Sequence, residues 1–379
     1  MEQTERDRLL RRLVEWRSDA GILTVYVHVD PGARGRGWRI ELRERLRDLE
    51  GRTSPHGERR AFEAAAEEVL ERFPEDGAPP EGRGHVGFVE LAEKRPNAVW
   101  RSMQMGPRRT DVVRSHRPYV RPLVELFAEG PHVGAALVSA DRVRLLEWSL
   151  GAIRELEDWE ITLFSRDWRE RKAERSMPGP RSWTSASGRD QFDQRLDANR
   201  RRFLHEVAAL VAEERAKRGW RYLLAFGGED LPQDFAAGLG DGGSELHALP
   251  HDLVSSKEGQ IAERVAAAVG DINAARAIDL LAALEEAVGA EPGAALGPQE
   301  TLEALTQGRV RHLIFDADRD YEGRPLDADL AYDDDGAGLP VGERLVELAV
   351  ATDAEITPVY GECAERLRPH DGVAALLRY

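Results

Sequence analysis

The residues with the clearest chemical potential lie in one stretch, where small side chains lead into an arginine-rich helical pattern. The small and amide-bearing residues are Ser185, Ala186, Ser187, Gly188 and Gln191. The cationic residues of the stretch are Arg189, Arg195, Arg200, Arg201 and Arg202. Closely spaced guanidinium groups on a helix can follow the phosphates of a nucleic acid, and a loop of small residues fits a confined space. The stretch therefore predicts an RNA contact with the loop as its tip.

A solvated helix face is the alternative interpretation of the same arginines. Lys and Arg together number 53, and only four of these residues are lysines, so arginine is the usual cation of this chain. An arginine cluster is less informative here than in an average protein. Composition alone favours the solvated face over the RNA contact.

Other motifs lack the context that their chemistry needs. The glycine-rich run 238–243 has no clean strand before it and no helix opening at its last glycine, which phosphate-binding loops require, so we expect a flexible loop. Asp316, Asp318 and Asp320 have calcium-loop spacing, but Tyr321 occupies the position where the sharp turn needs glycine. We therefore expect no metal site and no cofactor.

The composition is that of a folded protein of two or three domains, with 379 residues, 41% of them hydrophobic and 32% charged. A formal charge of -16 argues against a surface that coats nucleic acid or an anionic membrane as a whole, but it allows a local basic patch. The single cysteine excludes an intramolecular disulfide. The chain shows neither a signal-peptide pattern nor an apolar run long enough to cross a membrane, so we expect a cytoplasmic protein.

The elements around the arginine-rich stretch predict a mixed α/β unit. From Val133 the sequence alternates in short strands around turn signals such as Leu150–Gly151, the pattern of an antiparallel meander. Residues 165–190 are charged and then rich in Pro, Gly and Ser, which predicts a long exposed loop. Helical spacing resumes over Gln191–Arg218, and a buried strand follows over Arg221–Phe226.

The segments on either side predict two further α/β units. The first contains a β-branched strand at Ile22–Val29 and ends near Gly130–Pro131, where a break in the pattern suggests a boundary. The last contains a long Ala-rich helix near residues 256–289, followed by alternating helices and strands. The sequence thus predicts three domains, residues 1–131, 132–260 and 261–379.

Several segments resemble the archaeo-eukaryotic class of peptide release factors, a superfamily that includes Pelota, the Vms-type peptidyl-tRNA hydrolases and the hibernation factor Balon. Residues 300–310, together with Asp371–Tyr379, are similar to the family signatures ETLxALxxGRV and GGxAAlLRY, with Asp371 in place of the first glycine. Residues 133–155 resemble the opening of the family's second domain, with a turn at Gly151–Ile153. The resemblance covers the chain from about residue 115 to its last residue, and the N-terminal domain matches only loosely.

The resemblance implies a fold for each domain. It implies an RNase H-like α/β middle domain over residues 132–260, with a long loop at 165–190 before its main helix. It also implies a C-terminal α/β sandwich of the Pelota type over residues 261–379. The N-terminal domain is expected to be mixed α/β, and residues 1–130 contain no recognisable stop-codon motif.

The resemblance also implies where the chemistry would lie. In the family a Gly-Gly-Gln tip precedes the long helix of the middle domain, and the corresponding positions here are Ser185, Ala186 and Ser187. The family's glutamine and its backbone N–H position a water and stabilise the oxyanion at the peptidyl-tRNA ester, and Ser187 stands in place of that glutamine. A serine can still hold a water, and the backbone N–H remains. A shifted register would instead recruit Gln191, after Gly188.

The expected function follows from these correspondences. The resemblance implies a ribosome-associated translation factor that acts at the A site in termination or rescue, hydrolysing the peptidyl-tRNA ester with a positioned water and no cofactor. Expected partners are rRNA and peptidyl-tRNA, with an elongation-factor-type GTPase as a further candidate, no membrane, and a monomeric state. Loss of the glutamine leaves open a non-hydrolytic hibernation or stalling factor. A protein-interaction module outside translation is the third interpretation.

Overall fold

The computed structural model describes most of the chain in eleven segments. Its backbone is described, without side chains, at residues 56–57 and 185–196. The described residues are 1–29, 37–51, 56–73, 81–92, 97–161, 185–228, 230–240, 245–290, 293–319, 321 and 341–378. Three separate β-sheets with helices packed on them confirm the predicted α/β class.

The first sheet has four antiparallel strands with helices on both faces. Its elements are α1 (Gln3–Glu15), β1 (Ile22–His28), α2 (Gly37–Gly51), α3 (His56–Arg72), β2 (Gly84–Glu90), β3 (Ala98–Met103), β4 (Asp111–Ser115) and α4 (Arg121–Glu129). The strand order is β3, β2, β1, β4. Along β1 the side chains alternate: Leu23, Val25 and Val27 share a core with α2 and α3, whereas Ile22 and Tyr26 share one with α1 and α4.

The second sheet has five strands in an RNase H-like arrangement. Its strands are β5 (Val133–Val138), β6 (Arg142–Ser149), β7 (Ala152–Glu160), β8 (Tyr222–Gly227) and β9 (Glu245–Leu249). The order is β7, β6, β5, β8, β9, with β5 to β7 antiparallel and β5, β8 and β9 mutually parallel. The turn predicted at Leu150–Gly151 is confirmed, since both residues have positive φ, as a two-residue type I′ hairpin requires.

Helices cover the two faces of the second sheet. They are α5 (Ser185–Arg218), α6 (Leu231–Gly238) and α7 (Glu258–Ala287). Ala136 and Val138 of β5 lie in the core beneath α5 and α6, whereas Ala135 and Leu137 lie in the core beneath α7. α5 and α7 therefore lie on opposite faces of the sheet.

The third sheet contains the residues of the C-terminal signature. Its elements are β10 (Ala294–Leu296), α8 (Gly297–Thr306), β11 (Val310–Asp316), α9 (Val341–Ala351), β12 (Glu355–Val359), α10 (Gly361–Leu367), a 3₁₀ turn (Arg368–His370) and β13 (Val373–Leu377). The strand order is β10, β13, β11, β12. The signature residues Thr301 and Leu305 are fully buried on α8, and Gly308 ends that helix with a φ of 67°. The signature is accounted for by packing.

The three sheets share cores and helices. Ile261 and Val265 of α7 pack on the second sheet, whereas Leu281 and Leu284 of the same helix pack on the third. One continuous core joins α1, α4 and one face of the first sheet to α8, α9 and β11. The boundary predicted at residue 260 thus falls near the start of a helix that contributes to two cores, and the division into three domains stays a prediction.

A buried carboxylate fixes α4 against α9. Glu343 of α9 is fully buried, and its two carboxylate oxygens accept the N–H groups of Val120 (2.5 Å) and Arg121 (2.9 Å) at the start of α4. One helix turn further on, Glu347 accepts from Arg117 at 3.0 Å and from Arg344 at 3.1 Å. Burial raises the pKa of Glu343 to about 8, and the nearby charge of Glu347 adds to the effect.

A buried arginine joins α1 to the second sheet. The Arg6 guanidinium donates to the carbonyl oxygens of Phe127 (3.1 Å) and Gly130 (2.7 Å) and to Ser149 Oγ (2.7 Å). It also lies over the ring of Phe127. Burial lowers the pKa of Arg6 to about 10. Since each described contact satisfies a buried polar group, α1 is held at a defined position between the sheets.

Some elements differ from the sequence prediction. β4, α6 and β9 have no counterpart in it, because each is short and none is strongly periodic. The helix predicted to begin at Gln191 begins at Ser185, so residues 185–190 of the predicted loop 165–190 are helical. Gly188 is the single helix-breaking residue there, and one glycine costs only about 1 kcal/mol relative to alanine once a helix is nucleated. Residues 162–184 of that loop lie outside the described residues.

Membrane-spanning helices were also sought. Among the described residues, no helix combines the length and the apolar character that crossing a membrane requires.

Candidate functional site

The predicted catalytic residues occupy the first turns of α5. Ser185, Ala186, Ser187, Gly188 and Gln191 all have helical backbone, where a loop was expected for the first four. Ser187 and Gln191 are four residues apart, so they lie on the same face of the helix. The two alternative registers for the catalytic position therefore place their residues next to each other. The first four N–H groups of any α-helix lack an intrahelical acceptor, so this end is electropositive.

The same face of α5 continues into the predicted cationic residues. Arg195 is four residues beyond Gln191, and Arg202 is two helix turns beyond Arg195, so both lie on the face of Ser187 and Gln191. Arg189 and Arg200 are eleven residues apart and share a different face. The structure thus brings two of the five predicted arginines into line with the predicted tip. At Arg202 this face is exposed to solvent.

The described arginines of this cluster have weak partners. Arg200 lies 3.5 Å from Asp197, and Arg201 lies 4.0 Å from Asp234 of α6. Both aspartates are exposed, and exposed ion pairs contribute only about 0 to 1 kcal/mol. These guanidinium groups can therefore exchange their partners for phosphates at little cost.

The remainder of α5 holds this surface in place. Leu204, Val207 and Val211 are buried against the second sheet. α6 approaches α5 closely because Gly238 has no side chain: a Cβ there would lie 2.8 Å from the Cβ of Ala208. The arginine face is thus carried by a long helix anchored along its second half.

The basic residues at the other end of α5 are already paired. Lys217 and Arg218 donate to Glu214 at 2.9 and 3.0 Å. Arg218 also donates to Glu147 of β6, which pairs with Arg154 as well. The hydrogen bond from Arg154 is among the causes that hold the pKa of Glu147 below its usual value, against the burial that raises it. The positive charge open to an RNA partner is therefore concentrated near Arg200–Arg202.

The structure also bears on the two rejected motifs. Gly238 is the last residue of α6, and β9 follows the glycine run, so the order is helix, loop, strand, the reverse of a phosphate-binding loop. Asp316 accepts the N–H of Asp318, and Asp318 pairs with Arg108 at 3.1 Å. Asp320 lies outside the described residues. In the part of the chain that the structure describes, no group of three or more His, Cys, Asp or Glu residues could hold a metal ion.

The sequence analysis did not predict a cavity of about 710 Å³ between the three sheets. Its walls come from the first sheet, α4, α7 and β12, and they include Arg221 and Arg276. Periodicity and spacing give no signal for such a site, because its residues come from distant segments. An arginine-rich composition hides it further, since single arginines do not stand out.

Comparison with known proteins gives one family. Residues 118–270 match the model of the bacterial archaeo-eukaryotic release factor family 10. The matched segment contains α4, the second sheet, α5, α6 and the first half of α7. It therefore includes the predicted tip and the arginine face. No curated protein matches the chain.

Solved structures with detectable likeness are archaeal. The archaeal translation termination factor aRF1 is 19% identical, with 100% of this chain and 99% of that chain covered and a TM-score of 0.27. Pelota from Archaeoglobus fulgidus is 15% identical, with 78% and 79% covered and a TM-score of 0.35. Archaeal Pelota in a ribosome-bound model with ABCE1 is 13% identical, with 98% and 94% covered and a TM-score of 0.40. At TM-scores this low, the likenesses support no conclusion about this chain.

Proposed function

Because the chain belongs to the archaeo-eukaryotic release factor superfamily, with its match at residues 118–270, we propose that it is a ribosome-associated translation factor that acts at the A site. The observation that supports this most is the single face of α5 that joins Ser187 and Gln191 to Arg195 and Arg202. Such a face can contact RNA phosphates along its length while its small-residue end reaches the peptidyl-tRNA. The contact is confined, which agrees with a net charge of -16 for the whole chain.

The proposed reaction is hydrolysis of the peptidyl-tRNA ester. A water held by the Ser187 hydroxyl or the Gln191 amide attacks the ester carbonyl carbon, the bond to the tRNA 3′ oxygen breaks, and that oxygen leaves with a proton. The electropositive first turn of α5 would stabilise the oxyanion that forms at the carbonyl. No covalent protein nucleophile and no cofactor is needed, since the rate enhancement comes from positioning and electrostatic stabilisation.

A second function is supported by the same segment. The family's Gly-Gly-Gln is replaced here by Ser-Ala-Ser, and the backbone at these residues is helical. Both features favour a non-hydrolytic factor that occupies the A site in hibernation or stalling. The RNA contacts of this factor would be the same, and only the chemistry at the tip would differ.

The partners are proposals of the same kind. We expect rRNA and peptidyl-tRNA as the direct contacts of α5, and a cytoplasmic, monomeric protein that works without a membrane. The sequence resemblance supports delivery by an elongation-factor-type GTPase. A protein-interaction module outside translation is the outcome to be accepted if ribosome binding fails.

Two measurements test the proposal. Co-sedimentation of the protein with ribosomes at low salt should be strong, and it should weaken steeply as salt rises, because phosphate contacts release counterions. Ribosomes carrying labelled peptidyl-tRNA should then release peptide on incubation with the protein, and the double variant Ser187→Ala, Gln191→Ala should lose release while retaining binding.

The outcomes separate the candidate functions. Binding without release supports the non-hydrolytic factor. Absence of co-sedimentation at low salt contradicts both ribosomal functions. Arg60→Gln on α3 is the matched control, since Arg60 is an exposed arginine distant in sequence from α5.

A further inference from the structure

The cavity between the three sheets has an excess of positive charge. Its charged lining residues are Arg83, Arg108, Arg221 and Arg276 against Glu129 and Glu263. The chain as a whole carries a formal charge of -16, so a cationic interior cleft is the opposite of its average surface. Arg108 is occupied, because it donates to Glu129 at 3.1 Å and to Asp318 at 3.1 Å.

Two of these arginines have no acceptor. Within the described residues, the guanidinium groups of Arg83 and Arg221 have neither a hydrogen bond nor an ion pair. Arg276 lies over the ring of Tyr222, 4.8 Å from its centroid, and pairs with Glu245. Burial lowers the pKa of Arg276, and the charge of Arg221 adds to that effect, so the two cations are close enough to repel each other. An anion placed beside them would relieve this repulsion.

The floor of the cavity is apolar and uncrowded. α7 presents small residues to it at intervals of four: Ala262, Ala266, Gly270 and Ala274. A Cβ added at Gly270 would meet no atom within 4 Å. Met105 and Pro358 add apolar surface to the walls. A flat apolar group would find room on this face of the helix.

The size of the cavity matches a small molecule. About 710 Å³ lies within the range of roughly 300 to 1,000 Å³ that is usual for small-molecule and cofactor sites. Guanidinium groups prefer phosphate oxygens, which they bind through paired hydrogen bonds. We propose that this cleft binds a small phosphorylated ligand of nucleotide size, with its phosphate at Arg221 and Arg276 and its apolar ring on the small-residue face of α7.

This site is separate from the proposed RNA contact. α5 and α7 lie on opposite faces of the second sheet, so a ligand in the cleft does not touch the arginine face of α5. The ligand would touch walls contributed by all three sheets, and binding would stabilise their arrangement by mass action. The inference does not depend on ribosome binding, and it can fail without affecting that proposal.

Isothermal titration calorimetry on the full chain tests the site. ATP without a divalent metal is the probe, with inorganic tripolyphosphate and adenosine as separate arms. We expect ATP to bind, tripolyphosphate to compete with it, and adenosine to bind much more weakly. Arg221→Gln should weaken ATP binding at least about tenfold, because a charge-assisted contact is lost, whereas Arg60→Gln should leave it unchanged.

A second variant keeps the test independent of folding. Gly270→Leu fills the open floor with a side chain, and leucine is a better helix former than glycine, so the variant should fold and lose ATP binding. The proposal is overturned if ATP gives no binding at millimolar concentration, if adenosine binds as well as ATP, or if Arg60→Gln and Arg221→Gln weaken binding equally. Displacement of ATP by a short RNA at lower concentration would identify RNA as the ligand and also overturn it.

Discussion

Replacing Glu343 should reveal how strongly the junction between α4 and α9 depends on one buried carboxylate. In Glu343→Ala the N–H groups of Val120 and Arg121 lose their acceptors, and both hydrogen bonds are buried. An unsatisfied buried donor costs about 1 to 3 kcal/mol, so the two together should lower the free energy of unfolding by about 2 to 6 kcal/mol. Glu343→Gln keeps one acceptor oxygen and should cost less.

The same residue predicts how stability depends on pH. Glu343 has a pKa of about 8 in the folded protein against 4.5 ordinarily, so the folded state holds a proton that the unfolded state has lost between these values. Stability should therefore fall as pH rises from about 4.5 to 8, by at most about 1.4 kcal/mol per pH unit. Glu343→Gln cannot titrate and should remove this part of the slope.

Urea unfolding followed by tryptophan fluorescence at pH 5, 6, 7 and 8 measures both effects. Glu362→Gln is the matched control, because Glu362 is an exposed glutamate on α10. The reasoning is refuted if Glu343→Ala changes the free energy of unfolding by less than about 0.5 kcal/mol, which is the range of ordinary surface substitutions. It is also refuted if wild type and Glu343→Gln have the same pH slope.

Three further predictions concern other positions. Arg6→Ala leaves three buried acceptors without a donor and should lower the free energy of unfolding by about 2 to 4 kcal/mol in the same urea assay. Gly134→Ala forces a Cβ into the ring of Trp220 and should destabilise by about 1 to 3 kcal/mol, whereas Gly270→Ala, in open space, should stabilise by up to about 1 kcal/mol; equal melting temperatures would contradict this. Arg202→Glu should weaken ribosome co-sedimentation and reduce its salt slope by about 1 to 2, and an unchanged slope would exclude a phosphate contact there.

Much of the fold could be predicted because strong local patterns mark its elements. β3 and β12 have the predicted bounds, since each is an apolar or β-branched run between clear breaks. The turn at Leu150–Gly151 was predicted from its glycine and confirmed by its backbone angles. By contrast, β9 is a short and mostly half-exposed edge strand whose alternation is too brief to register, so it was not predicted.

The site was harder to predict than the fold. Spacing located Ser187 and Gln191 correctly relative to the long helix, but composition suggested a loop, and the structure extends the helix to Ser185. The alignment of both residues with Arg202 depends on that helical backbone, so no loop-based interpretation could have found it. The cleft at Arg221 and Arg276 depends on the packing of three sheets, which a single sequence does not encode in any local pattern.

Directed hydroxyl-radical probing tests most directly whether the start of α5 faces the peptidyl-tRNA. In a Cys363→Ala background, which removes the single native thiol, iron tethered at Ser187→Cys should cleave rRNA at the peptidyl transferase centre. Iron tethered at Arg60→Cys should leave that region intact. Cleavage confined to other rRNA regions from a ribosome-bound Ser187→Cys protein would contradict the account.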